Sequence, residues 1–143
     1  MRHVAVFDTN VLLSGIGWKC KPFQCLELAR AGIVEALTCQ EILDELAEKL
    51  PAKLKFSPDA VTETLADLLS FQRFVTITNQ LCVMTADPDD DKVLECAVVG
   101  GATHIVSGDR RHVLPLGSYQ GISIVSPAQF LQLVSGGSVQ SGP

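Results

Sequence analysis

The stretch VAVFDTN, residues 4–10, decides how the chain is read. Val4 to Phe7 is an apolar run that breaks abruptly into Asp8, Thr9 and Asn10. Continuous apolar runs rich in Val and Phe suit strands buried on both faces, as in parallel sheets. The polar break then falls where such a strand leaves the sheet. Asp8 or Thr9 can cap a helix that begins near Val11, since their side-chain oxygens accept from free helical N–H groups. A carboxylate at the end of a buried strand is also where a site in such a sheet would stand.

The chain has 143 residues, 47% of them hydrophobic and 19% charged, which suits one ordered domain with one core. No segment approaches the roughly 18 apolar residues that span a membrane, and VAVF is too short for a secretory leader, so a cytoplasmic location is expected. The five cysteines (Cys20, Cys25, Cys39, Cys82 and Cys96) are odd in number and lack a CxxC pair, which argues against a disulfide framework or a cysteine zinc site. His3, His104 and His112 make no ligand spacing with them. A net charge of −5 disfavours broad coating of nucleic acid. It remains compatible with a pocket in which carboxylates gather divalent cations and the loaded site attracts phosphate.

Strand-like runs alternate with helical segments along the whole chain. A short helix is expected near 11–16, another over 22–31 closed by Gly32, and a strand in IVEALTC. CQEILDELAEKL is an amphipathic helix stopped by Pro51, and Ser57 with Pro58 opens the next one. Phe74 to Ile77 suits a strand, KVLECAVVGG a helix, THIVSGD and ISIV two further strands, and SPAQFLQLV a last helix. Residues 1–134 are expected to form one domain, with 135–143 as a disordered tail. The alternation implies an α/β fold, three layers α/β/α around a mostly parallel sheet, with its site beyond the carboxyl ends of the strands. Asp8 and Asp109 each follow a strand directly, which puts both on that rim.

Two helices carry further acids. At about 100° per residue, Ile42, Leu43, Leu46, Ala47 and Leu50 form a buried stripe, with Asp44 and Glu45 at its two borders. Spacing alone does not choose between them. In DPDDDKVLECAVV, Asp87 and Pro88 suit a helix opening, and acids there complement the helix dipole. Val93, Leu94, Ala97 and Val98 define the inner stripe. Asp90 points along its middle, while Asp89 and Asp91 diverge to the sides. An inward acid at a helix start is costly unless paired or bound to metal, which singles out Asp90. In IVSGD, Ser107 and Gly108 lead to Asp109, a combination that an ordinary turn also explains.

VFDTNVLLSG, a helix with an inner Glu, and DPDDDKVLECA…HIVSGD, in this order, resemble the PIN-domain family over about residues 3–134. These are small metal-dependent ribonucleases, many of them VapC-type toxins of toxin–antitoxin pairs. The resemblance implies that Asp8, Glu45, Asp90 and Asp109 are the catalytic acids, with Thr9, Asn10 and Ser107 supporting them. It implies hydrolysis of single-stranded RNA that leaves a 5′-phosphate. Hard oxygen donors favour Mg2+ or Mn2+, with Asp8, Asp90 and Asp109 as ligands and Glu45 as ligand or water-orienting base. Lys92, Arg110 and Arg111 flank the expected site and suit substrate phosphates.

The family also suggests a homodimer and an antitoxin peptide seated on an apolar surface, for which Leu65, Leu68, Leu69, Phe71 and Phe74 are candidates against ordinary core packing. Two other readings stand beside the nuclease. A PIN fold can serve as a non-catalytic scaffold for protein or RNA. A phosphatase of the haloacid dehalogenase type shares the strand-end Asp of FDTN, but its usual second acid is Asn10 here.

Overall fold

The computed structural model describes residues 2–78, 91–108 and 117–141. β1 (Val4–Phe7) forms where its apolar run predicts and lies inside a six-stranded sheet of order β3-β2-β1-β4-β6-β5. The others are β2 (Glu35–Thr38), β3 (Gln72–Phe74), β4 (His104–Val106), β5 (Ser118–Tyr119) and β6 (Ile122–Val125). Every pairing is parallel except β5 with β6. That pair was not anticipated from sequence. Its loop is Gln120-Gly121, with φ of 49° and 81°. Two successive positive φ values match the right-handed strand twist in a two-residue hairpin, and Gly adopts one freely.

Among the described residues six helices accompany the sheet: α1 (Thr9–Gly17), α2 (Lys21–Arg30), α3 (Gln40–Leu54), α4 (Pro58–Phe71), α5 (Asp91–Gly100) and α6 (Pro127–Ser141). α5 packs on β1, β2 and β4, whereas α1, α2 and α6 pack in series and α3 joins α1 to α4. This is the expected mostly parallel three-layer architecture. Phe7, Leu37 and Ile105 on the inner strands are fully buried with Leu12, Leu46, Leu94 and Phe130 from the helices. The Phe7 and Phe130 rings meet edge to face, 6.2 Å between centroids.

Several boundaries differ from the sequence reading. α3 passes through Pro51 and ends only at Leu54, where it is capped by Lys55 in a left-handed conformation with φ of 61°. Proline removes one N–H donor from the helix. Leu50 is fully buried and Leu54 packs against the core, so tertiary burial carries the helix one turn further. β3 begins at Gln72 rather than Phe74, because α4 ends at Phe71 and pairing with β2 starts at once. Val75 N still donates to Thr38 O at 2.8 Å, and Val75 and Ile77 remain buried. The Ser57 cap forms as expected, accepting from Ala60 N at 3.2 Å. α6 continues past residue 134, where the tail was expected to begin.

Candidate functional site

Parallel register brings the ends of β1 and β4 together. Phe7 pairs with Val106, so Asp8 and Ser107 leave the sheet side by side, and Asp8 N donates to Val106 O at 3.1 Å. Both side chains are buried. Asp8 caps α1, its Oδ1 accepting from Val11 N at 2.9 Å. Its Oδ2 accepts from the Ser107 hydroxyl. The capping role and the inter-strand contact therefore fall on one carboxylate.

Glu45, and not Asp44, turns toward this rim. Thr9 Oγ1 donates to Glu45 Oε1 at 2.8 Å, which ties α3 to the residue beside Asp8. Asp44 is exposed and instead accepts from Gln40 Nε2 at 2.8 Å. Two ammonium groups also hold Glu45. Lys92 Nζ lies 2.5 Å from Oε1 and Lys49 Nζ 3.2 Å from Oε2. Lys49 donates in addition to Asn10 Oδ1 at 3.1 Å. Burial pushes the Glu45 pKa up, but hydrogen bonds from Lys92 and Thr9 and the charges of both lysines outweigh it, and the net shift is downward. Glu45 is therefore ionised at neutral pH.

Asp90, Asp109, Arg110 and Arg111 lie outside the described residues, as do Asp87 to Asp89. The first described residue of α5 is Asp91, which is only 8% exposed. Asp91, which the sequence reading set to one side of the apolar stripe, is therefore buried. One turn later Glu95 is also buried, and its Oε2 accepts from Thr78 N at 2.8 Å and from Thr78 Oγ1 at 3.2 Å. The sequence reading weighed Asp91 only as a neighbour of Asp90 and passed over Glu95. Their i, i+4 spacing in DKVLE was the available signal, since it puts them on one helical face. Among the described residues no group of three or more His, Cys, Asp or Glu is placed to hold a metal ion.

A separate cavity of about 300 Å³ lies among α1, α2 and α4, lined by Ile16, Phe23, Leu26 and Leu68 with Glu27 and Arg30 at its polar side. No member of the Asp8 network lines it, so it is not the rim site. Of the apolar surface candidates, Leu68 is core, Leu65 and Phe71 are half-buried, and Leu69 and Phe74 are exposed. Among the described residues no helix is long and apolar enough to cross a membrane.

The sequence matches the model of the PIN domain over residues 4–111. The chain belongs to the PIN domain family. That is a nuclease-type family, and the match spans β1 through β4 with the whole rim network. The fold is similar to VapBC2 from Rickettsia felis, solved bound to a DNA fragment from their promoter, with a TM-score of 0.59, 14% identity, and coverage of 85% of this chain and 96% of that one. It is similar also to the RRP44 PIN domain of T. brucei, with a TM-score of 0.51, 15% identity, and coverage of 99% and 84%. A Pyrobaculum aerophilum protein gives 0.56 at 12% identity, covering 94% and 90%. No curated protein sequence matches the chain.

Proposed function

We propose that this PIN domain is a Mg2+- or Mn2+-dependent ribonuclease that hydrolyses phosphodiester bonds of single-stranded RNA, acting as the toxin of a toxin–antitoxin pair. The observation that carries this reading is the buried Asp8 carboxylate, fixed at the β1 terminus by Val11 N and the Ser107 hydroxyl. Such rigid placement suits a group that must hold a ligand within a narrow geometry. Asp8 offers hard oxygen donors, which fit Mg2+ or Mn2+. Asp90 and Asp109 complete the ligand set in this reading, joined covalently to Asp91 at the start of α5 and to Gly108 after Ser107. Asp91 is a further candidate beside Asp90, since it is a buried acid at that helix start.

When bound, the divalent ion supplies a lowered water pKa and charge neutralisation at the phosphodiester. The chain's own residues orient the acids. Ser107 and the α1 backbone fix Asp8, and Thr9 links α1 to Glu45, the second acid of the site. Arg110 and Arg111 are the further phosphate contacts. An antitoxin peptide over the groove among α1, α2 and α4, a homodimer, and a cytoplasmic location belong to the same reading.

A second reading, the non-catalytic scaffold, draws on one observation: two lysines already neutralise Glu45. Purified protein incubated with a set of defined single-stranded RNAs separates the two. Cleavage is expected with Mn2+ and not with EDTA, leaving 5′-phosphate ends. Intact RNA across the whole metal series favours the scaffold.

A further inference from the structure

Lys92 occupies an unusual place. It stands in the first turn of the described α5, where the helix dipole disfavours a cation. Its side chain is only 12% exposed, so the ammonium is held in one region rather than sweeping through solvent. Glu45 resolves the conflict by accepting it at 2.5 Å. Both carboxylate oxygens of Glu45 are then in use: Oε1 by Lys92 and Thr9, Oε2 by Lys49. Two ammonium groups face this one carboxylate, so the trio keeps a net positive charge. Lys49 is further committed to Asn10. Lys92 has three N–H donors, and among the described residues only Glu45 is a partner, which leaves donors for a ligand.

We propose that Glu45 is a positioning residue whose role is to present Lys92, and that the Lys92 ammonium binds a backbone phosphate of single-stranded RNA at the rim. The inference rests on the ribonuclease reading for the identity of the ligand, and it gives Glu45 a role distinct from metal ligation. A carboxylate already bonded to two ammoniums and a hydroxyl is a poor donor to a divalent ion, whereas the same contacts fix an ammonium in place. Charge fits the ligand. A phosphodiester carries one negative charge, which matches the excess of the trio.

Two measurements on the full chain test this. The first is Mn2+ affinity by titration calorimetry. Glu45→Gln stays within about 3-fold of wild type, while Asp8→Asn weakens binding by about tenfold or more, equivalent to ~1.4 kcal/mol. Equal losses in the two variants overturn the positioning role. The second is binding of a single-stranded oligoribonucleotide in EDTA across a salt series. Lys92→Gln lowers the slope of log K against log salt by about 0.7, the value for one phosphate contact on a single strand, and Lys92→Arg keeps it. An unchanged slope in Lys92→Gln, or no binding by wild type, overturns the phosphate role. Should Lys92→Gln fail to fold, Lys92→Met keeps the buried stem and takes its place. Cleavage of the same oligonucleotide by wild type with Mn2+ is scored separately. Absent cleavage with an intact Lys92 slope sinks the nuclease and spares the phosphate contact.

Discussion

Ser107 donates its hydroxyl proton to Oδ2 of Asp8, joining residues 99 apart in sequence across the ends of two adjacent parallel strands. Strand register creates the contact: once Phe7 pairs with Val106, the next residues have little choice but to meet. The buried carboxylate is thereby fixed from two sides, by α1 backbone on Oδ1 and by β4 on Oδ2.

Removing the charge and removing the cap have separable effects at Asp8. Asn is as good a helix cap as Asp, so Asp8→Asn should melt close to wild type while losing Mn2+-dependent RNA cleavage. Asp8→Ala should lose the cap as well, at a cost of about 1 kcal/mol. Thermal melts and a gel assay on the same preparations report both. Full cleavage by the Asn variant would end the proposed role of this acid.

Ser107→Ala leaves a buried carboxylate oxygen short of a donor. A cost of roughly 1–3 kcal/mol is expected, the usual range for a hydrogen bond to a charged group. Urea denaturation with an unchanged m-value would read it. A variant as stable as wild type would show that the contact contributes nothing net.

Glu45 supplies a pH signature. Its folded-state pKa lies below the ordinary 4.5. The unfolded chain therefore takes up the proton first, and the stabilisation by Lys92, Lys49 and Thr9 is complete above pH 4.5 and fades as pH falls through the folded value. The stability gap between wild type and Glu45→Gln should be constant near neutrality and shrink on acidification below about 4.5. A gap that widens instead would contradict this sign.

His104 acts in a higher window. Burial, then the neighbouring His3 ring at 5.2 Å, depress its pKa below 6.5. A base with a depressed folded pKa stabilises the fold fully above the unfolded value and loses that contribution as pH drops. Denaturation midpoints should fall between pH 7.5 and 5.5, and His104→Gln should remove much of the fall. The same decline in that variant would assign it to other groups.

Gly100, the last residue of α5, is closely approached by side chains of the sheet. A Cβ there would lie 2.5 Å from Leu37 Cδ1 and 3.0 Å from Val75 Cγ2. Leu37 is fully buried on an inner strand, so its side chain must shift within a packed core to make room. Gly100→Ala should destabilise by about 1–3 kcal/mol, despite the better helix propensity of Ala. A stabilised variant in chemical denaturation would refute the packing argument.

Much of the fold was legible because its signals are local. The VAVF run, the Ser57-Pro58 opening and the helical period of residues 41–50 each encode an element within a few residues. Pro51 shows the limit: its backbone penalty is local, but the burial of Leu50 that overrides it is not. The β5–β6 hairpin escaped notice because a two-residue strand has too little periodicity to read.

At the rim, the chain's order of residues determined that Asp8 would end a buried strand and that Glu45 would border an apolar stripe. Both follow from periodicity, which depends only on backbone geometry. Which partners those acids meet was decided by the tertiary structure. Ser107 reaches Asp8 through strand register, and Lys92 and Thr9 reach Glu45 through helix packing. Those contacts join elements remote along the chain, and the Coulomb and hydration energies that fix a carboxylate's chemistry depend on distance in space, not in sequence.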